Sequence, residues 1–225
     1  MSVCSVLAPD ELDRLAAILV DTHSQPGSAI FSEGDEASSL FNVTGGSIKL
    51  YKLLSDGRRQ ITGFLFPGDF LGLAVRDRYG YTAEALEPVR LCRFPRSKLE
   101  RLMQEFPHMK DRLFAMASNE LLAAQDQMLL LGRKTAREKI ASFLLQLQRG
   151  AKRRHQPENP IRLPMGRSDI ADFLGLTTET VSRTISALKR AGVIRLREGG
   201  TVEIRDHEGL AIMAESDVPQ FDRPS

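Results

Sequence analysis

Between residues 26 and 94 short runs rich in β-branched and aromatic residues alternate with turn signals, whereas residues 108–131 contain neither glycine nor proline. The two textures demand different folds. Gly27-Ser28, Glu33-Gly34-Asp35, Gly45-Gly46, Asp56-Gly57 and Pro67-Gly68-Asp69 lie close enough together to predict antiparallel strands closed into a barrel or roll. The clearest hairpin pairs Gly46–Lys52 with Arg59–Phe66 across Asp56-Gly57, and strands are expected to continue through Tyr81–Leu86 and Val89–Phe94. Before them, residues 9–20 place Leu12, Leu15, Ala16 and Leu19 on one helical stripe.

From Ser97 the period returns to about 3.6. A short helix runs to Phe106, and a long one covers 108–131, with Leu113, Met116 or Ala117, Glu120, Leu121, Ala124 and Met128 recurring every three or four residues. Its apolar positions spread wider than one stripe, which predicts a second chain on one side; the alternative is a helix packed wholly within its own domain. Gly132 is expected to end it as a hinge. Thr135 is a candidate N-cap for a helix over 135–148, and the basic, Pro-bounded stretch 150–160 reads as a loop.

Charge is distributed unevenly. Residues 133–205 hold sixteen Lys and Arg against seven Asp and Glu, although the whole chain is only +2. A basic block between acidic neighbours is the footprint of a nucleic-acid-binding module, or of a basic solvated surface. The segment 163–196 decides between them. Ser168 can cap a helix over Asp169–Leu174, Gly175 permits a tight turn with Leu176 as an apolar plug, and Thr177 can cap a second helix that stops at Gly192. Val181, Ile185 and Leu188 form that helix's apolar stripe, while Glu179, Ser182, Arg183, Ser186 and Arg190 share another face. Arginine pairs with guanine, glutamate accepts from cytosine and serine adapts, so this face suits reading base edges. Arg167, Lys189, Arg195 and Arg197 cluster around it, and Val193–Arg197, Gly199-Gly200 and Thr201–Arg205 form the hairpin that a winged variant requires.

On three stretches, FSEGDEASSLFNVTGGSIKLYKLLSDGRRQITGFLFPGDFLG, DQMLLLGRKTAREKIASFLL and DIADFLGLTTETVSRTISALKRAGVI, the chain resembles the Crp/Fnr superfamily of bacterial transcription regulators, and most its Fnr/FixK branch, over roughly residues 10–205. The resemblance implies an α+β architecture: a cyclic-nucleotide-binding-type β-roll (1–107), a dimerisation helix (108–132) and a winged helix-turn-helix (133–225). It implies a homodimer on double-stranded DNA at a TTGAT-type palindrome, with Glu179, Ser182 and Arg183 on the family's E-x-x-S-R base-reading positions. Arg167, Ser168, Thr177, Thr178, Ser186, Lys189 and Arg190 are the expected backbone or accessory contacts. Activation of microaerobic or anaerobic respiration, or of nitrogen-fixation genes, follows as the implied role, with RNA polymerase as a partner and the Asp56-Gly57 hairpin as the candidate contact surface.

The same resemblance bears on the signal. Cyclic-AMP-binding members need an arginine where Tyr81 stands, and Arg76 and Arg78 are out of register, so cyclic-nucleotide binding is not expected. Oxygen-sensing members hold a [4Fe–4S] cluster on four cysteines; here only Cys4 and Cys92 exist, with Cys92 resembling the roll cysteine, so no cofactor is expected. Either thiol is a candidate redox group, and the alternative function is a sensor whose DNA binding is gated by a small molecule or by oxidation. Two cysteines and no signal-peptide pattern fit a cytoplasmic protein without a membrane partner. No sequence motif for a catalytic or metal centre is present, so an enzyme is not expected.

Overall fold

The computed structural model describes residues 9–73 and 77–214; side chains at 9–10, 112–113, 116 and 119–120 fall outside the description, as do the expectations placed on Leu113, Met116, Glu120, Arg76 and Cys4. The chain divides into two units, Met1–Ala124 and Gln125–Ser225.

In the first unit α1 (Pro9–Ile18) leads into β1 (Val20–Ser24), β2 (Ala29–Phe31), β3 (Ser39–Gly45), β4 (Ile48–Leu53), β5 (Arg59–Leu65), β6 (Phe70–Leu71), β7 (Thr82–Ala85) and β8 (Val89–Pro95), followed by α2 (Arg96–Glu105) and the start of α3 (Pro107–Arg133). The strands form two antiparallel four-stranded sheets, β1-β8-β3-β6 and β2-β7-β4-β5. Phe31, Phe41, Val43, Ile48, Leu50, Leu71, Ala83, Ala85, Val89 and Leu91 fill the roll. Leu40 and Phe94, cross-strand partners on the other face of the first sheet, join Leu15, Leu99, Leu102 and Met109 in a second core under the helices. This sheet is therefore covered on both faces, which is why β3 is buried at five successive positions instead of alternating.

One difference from the sequence reading occurs here. The first helix stops at Ile18 and not at residue 20, because Val20–Ser24 pairs with β8 in register from Val20↔Arg93 to Ser24↔Val89. The strand pairing satisfies the backbone groups along one edge of β8, which another helical turn would leave to water.

The second unit holds the last turns of α3, then α4 (Ala136–Arg153), β9 (Ile161–Arg162), α5 (Arg167–Leu174), α6 (Thr178–Arg190), β10 (Ile194–Arg197), β11 (Thr201–Ile204) and α7 (His207–Ala214). Gly132 does not end α3. The helix continues to Arg133, since a single helical glycine costs only about 1 kcal/mol relative to alanine and the preceding turns are anchored: Leu130 is buried and Gln127 donates to the Phe173 carbonyl at 2.8 Å. The break comes at Thr135, whose hydroxyl accepts from the Glu138 amide while the Glu138 carboxylate accepts from the Thr135 amide at 2.7 Å.

Helix α4 also runs five residues past its expected end, through Gly150 and Ala151 into what reads as loop. Both residues are buried, and α4 packs against α6, α7 and β9, so small side chains there serve close packing. Strand β9 lies beside β11, and the Asn159 side chain continues that pairing by bonding both the carbonyl and the amide of Ile204 at 2.8 and 2.9 Å.

Gly46 makes the closest approach in the roll. It sits at φ +80°, where a Cβ would lie 2.4 Å from the Pro88 carbonyl oxygen. Gly46→Ala should therefore destabilise the protein by about 2 kcal/mol, read as a lower midpoint in urea unfolding; an unchanged midpoint would contradict this packing.

Candidate nucleic-acid interface

The second unit is organised around one turn. Helix α5 closes on Gly175 at φ +60°, ψ +45°, and the Leu176 amide donates back to the Ala171 carbonyl at 3.0 Å. Only glycine adopts this left-handed conformation without strain, and it sends the chain sharply into α6. Thr177 then caps α6, its hydroxyl accepting from the Thr180 amide at 3.1 Å. The expected cap at Ser168 is not made. The N-cap is Gly166, whose amide donates to the Asp169 carboxylate at 3.2 Å. Asp169 is buried and reaches back from the third helical position, so Ser168 lies inside the first turn with its side chain exposed.

Val181, Ile185 and Leu188 are at most 3% exposed. Burying them stabilises the helix against its unit by roughly 1.5–3 kcal/mol each and fixes its rotation about its own axis. Glu179, Ser182, Arg183, Ser186, Lys189 and Arg190 are consequently all exposed, as is Thr178 in the first turn. The Arg183 guanidinium pairs with the Glu179 carboxylate one turn earlier, with both side chains more than two-thirds exposed. A pair that open to water is worth only a few tenths of a kcal/mol, so either group can exchange it for another partner at little cost.

Arg167 is half-buried at the start of α5, and burial lowers its guanidinium pKa below the ordinary arginine value. In the wing formed by β10 and β11, Arg195 is exposed, while Arg197 donates to Glu203 at 2.9 Å and is thereby engaged. One residue of this surface is not visible in the sequence pattern. Arg137, in the first turn of α4, lines a cavity with Arg183, Thr184, Ala187, Leu188 and Arg190. Its distance along the chain from α6 gives no periodic signal, and only the packing of α4 on α6 brings it there.

Among the described residues of the first unit, aromatic rings pack inside the roll. Tyr79 stacks on Phe31 with centroids 3.7 Å apart, and its hydroxyl donates to the Ser39 carbonyl at 2.6 Å. Burial raises the Tyr79 phenol above its usual pKa. Tyr81 packs beside them, and its hydroxyl accepts from the Gly72 amide at 3.2 Å. Cys92 is half-buried on β8 opposite Asn42, against the second core, and outside any disulfide. No group of His, Cys, Asp and Glu among the described residues could hold a metal ion. At the tip between β4 and β5, Asp56 accepts from the Arg58 amide at 3.0 Å and its side chain at 2.7 Å, beside exposed Leu53 and Leu54.

Residues 22–106 match the cyclic nucleotide-binding domain family and residues 138–213 the Crp-like helix-turn-helix domain family. The nitrogen fixation regulation protein FixK of Bradyrhizobium diazoefficiens is 43% identical over 199 residues, 88% of this chain and 84% of the relative. The chain belongs to the Crp/Fnr family. The transcriptional activatory protein AadR of Rhodopseudomonas palustris is 44% identical over 86% of this chain and 81% of its own length. The structure of FixK2 from Bradyrhizobium japonicum superimposes with a TM-score of 0.83 at 36% identity, over 89% of this chain and 100% of that one. The α+β architecture and its order, β-roll, helices and helix-turn-helix, are thus those of the family, and the protein is a transcription regulator of the Crp/Fnr type. The c-di-GMP responsive regulator CLP of Xanthomonas campestris shares the fold at a TM-score of 0.69 and 21% identity. No described helix is long and apolar enough to cross a membrane.

Proposed function

We propose that the protein is a homodimeric activator that reads a TTGAT-type palindrome with Glu179, Ser182 and Arg183 in the major groove. The observation that carries this reading is the division of α6, whose apolar stripe is buried while those three side chains stand exposed one turn apart. Thr178, Ser186, Lys189 and Arg190 on the same helix, with Arg167 and Ser168 at the start of α5, supply backbone or accessory contacts. Thr177 acts chiefly by capping α6 in the orientation that reading needs.

Dimerisation runs through residues 108–132. Its support is a set of exposed apolar side chains on α3: Phe114, Leu121 and Met128 recur at sevens, as do Leu122 and Leu129. Uncovered apolar groups repeating every seven residues make a stripe that a second helix can cover. The half-sites then lie about one helical turn of DNA apart. Relatives named as nitrogen fixation regulators and transcriptional activators support activation of nitrogen-fixation genes, and microaerobic or anaerobic respiration genes are the further targets that the sequence resemblance implies. Activation occurs in the cytoplasm through RNA polymerase, for which the exposed Asp56-Gly57 tip is the surface we favour.

The roll, on this reading, is not a cyclic-nucleotide receptor. Supporting this, Tyr81 stands where cyclic-AMP-binding members need an arginine, with its own hydroxyl bonded to the Gly72 amide. Arg183→Ala should weaken binding to the selected duplex by about 1–3 kcal/mol and relax preference at the G·C pair it reads, measured by fluorescence anisotropy on a panel of single-base variants; retained affinity and selectivity would refute the assignment. Leu121→Glu should shift sedimentation from dimer to monomer at micromolar protein and lose palindrome binding with it, and a persistent dimer would move the interface elsewhere.

A further inference from the structure

The cavity beside α6 is lined by three guanidinium-bearing side chains and no carboxylate: Arg137 from α4, and Arg183 and Arg190 from α6, with Thr184, Ala187 and Leu188 as its floor. Its volume is about 390 Å³. Of the acids closest in sequence to Arg183 and Arg137, Glu179 pairs with Arg183 and Glu138 accepts from the backbone amide of Thr135. Among the described residues neither Arg137 nor Arg190 has an ion-pair partner. Two uncompensated cations beside a third form an unbalanced site, and such a site attracts an anion.

We propose that Arg137 and Arg190 clamp one sugar-phosphate unit of the DNA backbone, flanking the base pairs that Glu179, Ser182 and Arg183 read. The interface thereby extends beyond the helix-turn-helix onto the first turn of α4. Several features of the cavity favour a backbone phosphodiester. It opens on the flank of the reading face, Arg183 belongs both to it and to that face, and its volume exceeds a bare phosphate. Planar guanidiniums can grip two phosphate oxygens at once. Because the contact is to the backbone, it fixes the register of α6 in the groove and carries no base preference of its own.

The proposal rests on the DNA-reading assignment, and the test separates the two. Full-length wild type, Arg137→Gln, Arg137→Lys and Arg183→Ala are titrated onto a selected duplex and onto a scrambled one across a salt series. Arg137→Gln should weaken both duplexes equally, by about tenfold at low salt, and lower the magnitude of the log–log salt slope by about one. Arg137→Lys should keep the slope and most of the affinity. Arg183→Ala should instead collapse the ratio between the two duplexes. Unchanged affinity and slope in Arg137→Gln, with selectivity still lost in Arg183→Ala, overturns the clamp and leaves the reading assignment standing. Unchanged selectivity in Arg183→Ala overturns the assignment itself. Arg137 is exposed, so a thermal melt matching wild type is expected and excludes misfolding. Titration with inorganic phosphate alone forms the last arm: Arg137-dependent binding at micromolar phosphate that DNA does not displace would assign the cavity to a free anion and overturn the proposal.

Discussion

Burial of Val181, Ile185 and Leu188 is the interaction on which the DNA-binding unit depends. Three apolar side chains along one stripe leave the helix a single favourable rotation, and that rotation selects which residues face outward. Everything proposed for α6 follows from it. Gly175 sets the angle at which the helix leaves the turn, Thr177 fixes its first residue, and the stripe fixes its roll. Base recognition needs side chains held within a fraction of an ångström and a few degrees, and a helix locked at its end and along its length provides that.

The β-roll obeys a different rule. Inside it Phe31 stacks on Tyr79 and packs beside Tyr81, and both phenol hydroxyls bond to backbone groups. Each hydroxyl satisfies a main-chain atom that would otherwise need water or a ligand. Family membership alone therefore does not specify the signal, because the same scaffold supports a c-di-GMP responsive protein at 21% identity.

The helix-turn-helix was legible in the sequence because local signals and burial agree there: a glycine at the one left-handed position, a threonine at the cap and an apolar stripe at helical spacing. Elsewhere local signals lost to longer-range packing. Gly132 reads as a stop, yet the anchored turn before it carries the helix on to Arg133. Ser168 is a better cap than glycine on propensity, but the buried Asp169 bonds the Gly166 amide and moves the start of α5 back. Strand β1 and strand β9 exist through partners about seventy and forty residues distant, which no window of local pattern reports. Arg137 belongs with them: its charge is visible in the composition of the basic block, but its place beside Arg183 is a product of α4 packing on α6.

The central claim is that two copies of the α6 face read a two-fold symmetric DNA site. Selection from a random duplex pool with purified full-length protein, followed by sequencing of the bound fraction, tests it most directly. The account predicts enrichment of an inverted repeat whose half-sites are centred about one helical turn apart, with a TTGAT-type core in each. Enrichment of a single, asymmetric half-site, or no enrichment over the starting pool, would contradict it.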